Sequence, residues 1–190
     1  EVPGRVLDAD VIIVNKILIN EASIGTAKNL KLVCVTATGT NNLDKEYLDK
    51  RGIAWRNVAG YSTESVAQHT FAMLFYLLEH LRYYDDYVKN DHYTNDTIFT
   101  HFEKTFYELK GKTWGIIGLG NIGRRVASIA NAFGANVIYS SPSGAAPQEG
   151  FHQVSLDLLL ETADIVSVHA PLNKHTENLI DFSAFRKMKK

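Results

Sequence analysis

The chain has 190 residues, of which 45% are hydrophobic and 22% charged, the mix of a folded globular protein; it is long for one domain and short for two. Twenty basic against twenty-one acidic side chains leave a net charge of −1, too weak a field to gather nucleic acid or an anionic membrane. The longest wholly apolar run, Phe71 to Leu78, is far shorter than the ~18 residues of a membrane span. The single cysteine, Cys34, excludes an intrachain disulfide and a multi-cysteine zinc site, and fits a reducing cytoplasm. No charged-then-apolar leader opens the chain, so export is not expected.

Residues 11–14 and 32–35 are short β-branched runs at the length of buried strands. Between them, residues 20–28 read as a short helix opened by an Asn20 cap. A second helix over 44–51 stops at Gly52 and leads into a strand near 55–58. Strand, helix, strand, helix, strand predicts parallel pairing with crossovers, an α/β layer. A long helix then starts at Ser62, with Glu64 in its first turn and apolar character from Val66 to Leu81. It is apolar all round over 71–78, which predicts a helix buried on most sides, or one with a face against a second subunit. Residues 82–110 are polar and aromatic without a clean period and read as a surface excursion.

From Lys112 the pattern sharpens. Residues 113–117 form a strand, 121–133 a helix stopped by Gly134, and 136–140 a strand. Ser155 caps a helix to about Thr162, and 164–169 is the third strand. This βαβαβ order is half of a dinucleotide-binding fold.

Gly118, Gly120 and Gly123 make a G-x-G-x-x-G that begins where a strand ends and closes where a helix starts. Gly118 permits the tight turn, Gly120 lets the backbone approach a pyrophosphate, and Gly123 lets the helix pack close to the strand. The amides of Asn121 and Ile122 then face the phosphates from the helix N-terminus. At the end of the next strand an acid usually holds the adenosine ribose. Here Ser140 and Ser141 stand there, and no arginine is placed to clamp a 2′-phosphate. The cofactor expected is NAD, with NADP as the alternative.

Among the histidines, His69 is expected to make a structural hydrogen bond within the buried helix, and His169 to offer its main chain to the cofactor. The others sit in polar surroundings, and no pair has metal-ligand spacing backed by a carboxylate, so no metal site is expected. Cys34 reads as core. Arg124 and Arg125 follow the glycine turn, either as a phosphate contact or as exposed helix residues.

The segment 109–127 resembles the cofactor-domain entry of the D-isomer-specific 2-hydroxyacid dehydrogenases. So do residues 164–172 with Thr176, residues 37–44, and residues 57–67, the family's link into the long helix. These motifs stand in the family's order and cover nearly the whole chain. The resemblance implies a Rossmann-like parallel sheet with a partial flavodoxin-like substrate domain. It divides the chain into a partial substrate domain over 1–61 and a partial dinucleotide-binding domain over 62–190, with the active site in the cleft between them.

The activity implied is NAD(P)-dependent reduction of a small 2-keto acid to a D-2-hydroxy acid, by a homodimer. Carried over, the main chain at Thr38 and Gly39 binds the substrate carboxylate, and Tyr61 matches a position that some members place against the substrate. Val66 lies near the nicotinamide, while His169, Pro171 and Thr176 line the adenosine side. Ser141 stands where most members carry the ribose-binding Asp. The family's catalytic arginine, glutamate and histidine would follow Lys190, and Glu1 would fall inside a first domain. On that expectation these residues hold no general acid and do not catalyse alone. Two other readings compete. One is a dinucleotide-binding scaffold of the C-terminal-binding-protein corepressor type. The other is a methyltransferase using S-adenosylmethionine, which the missing acid at Ser140 and Ser141 disfavours.

Overall fold

The computed structural model describes residues 2–189. In chain order the elements are α1 (Val2–Arg5), β1 (Val11–Val14), α2 (Glu21–Ile24), β2 (Leu32–Val35), α3 (Lys45–Lys50), β3 (Ala54–Asn57), α4 (Thr63–Leu78) and α5 (Leu81–Lys89). There follow β4 (Thr113–Ile117), α6 (Asn121–Ala132), β5 (Asn136–Ser140), β6 (His152–Gln153), α7 (Leu156–Thr162), β7 (Ile165–Val168) and α8 (Phe182–Lys187). They gather into two units. One runs through Ser62 and includes Pro171–Glu177; the other comprises Thr63–Ala170 and the segment from Asn178 onward.

In the first unit β1, β2 and β3 form a parallel sheet in that order, with Ile12 opposite Val33 and Val33 opposite Trp55. Local chemistry sets the connections. The Asn20 side chain accepts from Ser23 N (3.1 Å) while the Ser23 hydroxyl accepts from Asn20 N (2.9 Å), a reciprocal cap that opens α2. The helix ends at Ile24, short of the expected Lys28. Asp44 caps α3 by accepting from Tyr47 N (3.0 Å), and Gly52 turns the chain at φ +65°. Ile19, Ile24, Val33, Val35, Leu48 and Ile53 form the core. β1 was expected to be buried, yet Val11 and Ile13 are exposed, because it is an edge strand covered on one face only. Cys34, read as core, is half-buried.

The second unit holds a parallel sheet in the order β6-β5-β4-β7. From β4 the chain steps through α6 to β5 and β6, and α7 then carries it to β7 on the other side of β4. The reversal makes a switch point at the carboxyl end of β4, where open α/β sheets bind their ligands. Beneath it, Phe71 of α4 meets Trp114 of β4 (4.9 Å between ring centroids) and Phe133 (5.9 Å). Val126, Ala127 and Ala130 of α6 complete this cluster, and Ile117, Leu159, Leu160 and Ala184 form a second one with α7 and α8. Each large apolar side chain fully buried in this way is worth about 1.5–3 kcal/mol.

The long helix departs from expectation. Only Ala67 and Phe71 of α4 are buried, whereas Met73 is 52% exposed and Leu77 70%. Its neighbours in the fold cover one face and leave the opposite apolar face in solvent. His69 lies on the exposed side rather than in the core. Residues 82–110, read as irregular, contain most of α5, and β6 is an additional short strand beside β5.

Candidate functional site

The glycine turn is built by its own sterics. Gly118 takes φ +93°, and a Cβ there would lie 2.8 Å from Ala170 N. A Cβ on Gly123 would lie 2.2 Å from the Gly118 carbonyl oxygen, so α6 approaches the turn as closely as a backbone without side chains allows. Gly120 is the opposite case: its φ is −77°, and a Cβ would meet nothing within 4 Å. Backbone is thus laid bare where α6 presents the unpaired amides of its first turn, including those of Asn121 and Ile122. The Asn121 side chain is exposed and Ile122 packs against the core. A pyrophosphate fits this cradle.

The end of β5 is tied to the turn by Gly118 N, which donates to the Ser140 carbonyl (2.9 Å). Ser141 follows, its hydroxyl accepting from Ala145 N (3.2 Å) and lying 3.2 Å from the Ser143 hydroxyl. Buried Tyr139 straps the loop beyond: its hydroxyl accepts from Gln148 N (2.9 Å) and donates to Gln153 (2.9 Å). Gln148 Nε2 in turn donates to the Leu119 carbonyl in the glycine turn (3.0 Å). This side-chain strap was not visible in sequence, because it joins residues that only the fold brings together.

His169 N–H donates to the Ile117 carbonyl (2.8 Å), extending the pairing of β7 with β4. Its Nε2 lies 3.1 Å from Ser167 Oγ, which also accepts from the Trp114 indole (2.9 Å). The indole is a donor only, so the Ser167 hydroxyl proton is free to donate to Nε2. Burial holds the imidazole below its ordinary value, which favours this neutral ring over a proton donor. Val66, in the first turns of α4, is 37% exposed.

In the first unit, a cavity of about 760 Å³ is lined by Thr38, Gly39, Asn41, Lys45, Pro171 and Lys174, among others. The Thr38 carbonyl accepts from Asn57 Nδ2 (2.8 Å), fixing the loop after β2, and Asn42 anchors its far end by donating to the Asn15 and Ile17 carbonyls. Thr176 donates to the Pro171 carbonyl (2.6 Å) and accepts from Asn173 N (2.9 Å), which closes the 171–177 turn. Tyr61 is largely exposed. Thr38, Gly39 and Pro171 thus share one cavity.

Sequence reasoning missed a further cluster. Tyr83, Asp86, Tyr87, Asn90, His92 and Glu103 surround a cavity of about 380 Å³. Tyr87 and His101 stack at 3.9 Å, and Tyr83 donates to Glu103, which pushes its hydroxyl up to about 12. A phenol so held is no nucleophile near neutral pH. The i, i+4 spacing of Tyr83 and Tyr87 on α5 was the available signal. Among the described residues, no group of three His, Cys, Asp or Glu is placed to hold a metal, and no helix is long and apolar enough to cross a membrane.

Comparison with known proteins places these features. Residues 71–190 match the family model described as D-isomer specific 2-hydroxyacid dehydrogenase, NAD binding domain. A glycerate dehydrogenase of Methylorubrum extorquens is 30% identical over 190 residues, covering 100% of this chain and 59% of the relative. Among solved structures, D-lactate dehydrogenase from Aquifex aeolicus complexed with NAD and lactic acid superposes with a TM-score of 0.88 at 33% identity, over 98% of this chain and 55% of that one. An acyclic imino acid reductase in complex with NADPH and D-Arg gives a TM-score of 0.88 at 30% identity, over 98% and 59%. The chain spans about 59% of the length of the first curated relatives it matches.

Proposed function

We propose a function from the premise that this chain belongs to the D-isomer specific 2-hydroxyacid dehydrogenase family and carries its NAD-binding domain: the protein reduces a small 2-keto acid to a D-2-hydroxy acid. The observation that carries the reading is the glycine turn at the switch point of the second unit, with Gly118 at φ +93° and open space over Gly120. When bound, the dinucleotide supplies the hydride. The amides of Asn121 and Ile122 hold its pyrophosphate at the N-terminus of α6, and the 141–143 loop faces the adenosine ribose. His169 lends its main-chain position and stays neutral, Val66 borders the nicotinamide, and Thr176 closes the turn that, against the expectation of an adenosine-side role, sets Pro171 in the cavity with Thr38 and Gly39.

On the substrate side, the loop at Thr38 and Gly39 offers main-chain donors to the carboxylate, and Tyr61 packs against the small group next to the keto carbon. Fixing the carboxylate orients the carbonyl for hydride delivery. The relative named for glycerate and the one holding lactic acid support a short, hydroxylated substrate. The uncovered face of α4, with Met73, Tyr76 and Leu77 in solvent, supports a homodimer formed through this helix.

The test is a turnover assay on the protein at its natural length, with NADH or NADPH and short 2-keto acids, and chiral analysis of the product. A D-2-hydroxy acid formed with matching cofactor consumption is the expected result. Tight cofactor binding without turnover of any 2-keto acid would favour a non-catalytic dinucleotide scaffold instead.

A further inference from the structure

Two adjacent arginines follow the glycine turn, and their surroundings differ. Arg125 is neutralised: its Nε lies 2.8 Å from a Glu64 carboxylate oxygen. Arg124 is held by neutral acceptors only. Its Nη2 donates to Asn121 Oδ1 (2.6 Å), and its Nη1 donates to Gln148 Oε1 (3.1 Å) and to the Leu119 carbonyl (3.4 Å). Among the described residues no carboxylate lies within ion-pair distance of it. The sequence placed no arginine near the end of β5. The structure does, because Gln148 belongs to the loop that leaves β5 and Leu119 to the glycine turn. The end of β5 carries no ribose-binding acid and offers the Ser141 and Ser143 hydroxyls, 3.2 Å apart, while Glu149, beside Gln148 in the loop, makes no ion pair with Arg124.

A guanidinium whose partners are neutral keeps its full charge for a phosphate, which adds opposite charge and bidentate geometry to the bonds it already makes. We propose that Arg124 reads the 2′ substituent of the adenosine ribose, and that by turning from Gln148 to a 2′-phosphate it admits NADP(H) to a site that also takes NAD(H). The Ser141 and Ser143 hydroxyls would add donors to the same phosphate. The inference rests on the dinucleotide reading of the glycine turn.

The experiment is a binding titration of the full chain with NADH and with NADPH, in the parent, in Arg124→Gln and in Gln148→Glu. The second variant leaves Arg124 in place and gives it a carboxylate partner, while removing the Gln148 Nε2 donation to the Leu119 carbonyl. The parent binds both nucleotides. Arg124→Gln weakens NADPH by about tenfold to a hundredfold, the worth of a hydrogen bond to a charged group, and moves NADH by less than about threefold. Gln148→Glu shifts NADPH in the same direction and by more than it shifts NADH, whose loss reports only the missing tie to Leu119. A parallel loss of both nucleotides in Arg124→Gln would overturn the proposal, since it would put Arg124 on the shared pyrophosphate. So would a parent that rejects NADPH while binding NADH. A folded parent that binds neither nucleotide would sink the dinucleotide reading itself.

Discussion

Replacing Gly123 by alanine separates the packing role of the turn from its ligand role. The added methyl would lie 2.2 Å from the Gly118 carbonyl oxygen, and contacts under 3.0 Å essentially never occur, so α6 and the turn must part by about 0.8 Å. The obstacle is backbone, which cannot swing aside, and this places the cost at the upper end of the ~1–3 kcal/mol typical of overpacking. Alanine returns ~1 kcal/mol of helix propensity. The net expectation is a loss of about 2 kcal/mol in urea unfolding followed by Trp114 fluorescence. Gly120→Ala is the matched control. Its methyl meets nothing within 4 Å, so stability changes by only about 0.5 kcal/mol, while NADH affinity drops at least about tenfold as the methyl enters the phosphate's space. A Gly123→Ala variant as stable as the parent would refute the close-packing argument, and a Gly120→Ala variant that binds NADH normally would refute the cradle.

Burial holds the His169 imidazole below its ordinary value of 6.5. The unfolded chain therefore takes up a proton near pH 6.5 that the folded one refuses, so the contribution is complete above that pH and declines as the pH falls toward the folded value. His169→Gln should flatten the decline in urea midpoint between about pH 7.5 and 5.5, and unchanged slopes would contradict the assignment. Leu77, 70% exposed on α4, should tolerate aspartate without loss of helical signal. Light scattering of Leu77→Asp should then report half the parent's mass, whereas a monomeric parent would dispose of the proposed dimer face.

The second unit was readable wherever the ends of elements carry local chemistry. β4 and β5 fall on the expected residues because Gly118 and Gly134 adopt positive φ at their borders, and α7 starts just after Ser155 because the Ser155 hydroxyl caps it by accepting from Leu158 N (3.2 Å). In the first unit the Asn20 cap and the Gly52 turn were equally plain, although α2 stopped early at Gly25. What was hidden depends on partners distant in sequence. β6 is a strand only because His152 and Gln153 pair with Ile138 and Tyr139. The outward face of α4 looked like core since periodicity counts apolar residues without knowing which side the fold covers. α5 is hard to see in sequence because Tyr83 and Tyr87 resemble loop aromatics unless their i, i+4 spacing is weighed. Arg124 and Arg125 look alike in sequence, and only the positions of Glu64 and Gln148 tell them apart.

The central claim is that the turn from Gly118 to Gly123 binds a dinucleotide, and its most direct test is a fluorescence titration of the folded chain with NADH. Trp114, fully buried in the strand leading into that turn, serves as the energy donor. Saturable quenching that is lost in Gly120→Ala is the predicted result; a folded chain whose fluorescence shows no saturable response to NADH would contradict the account.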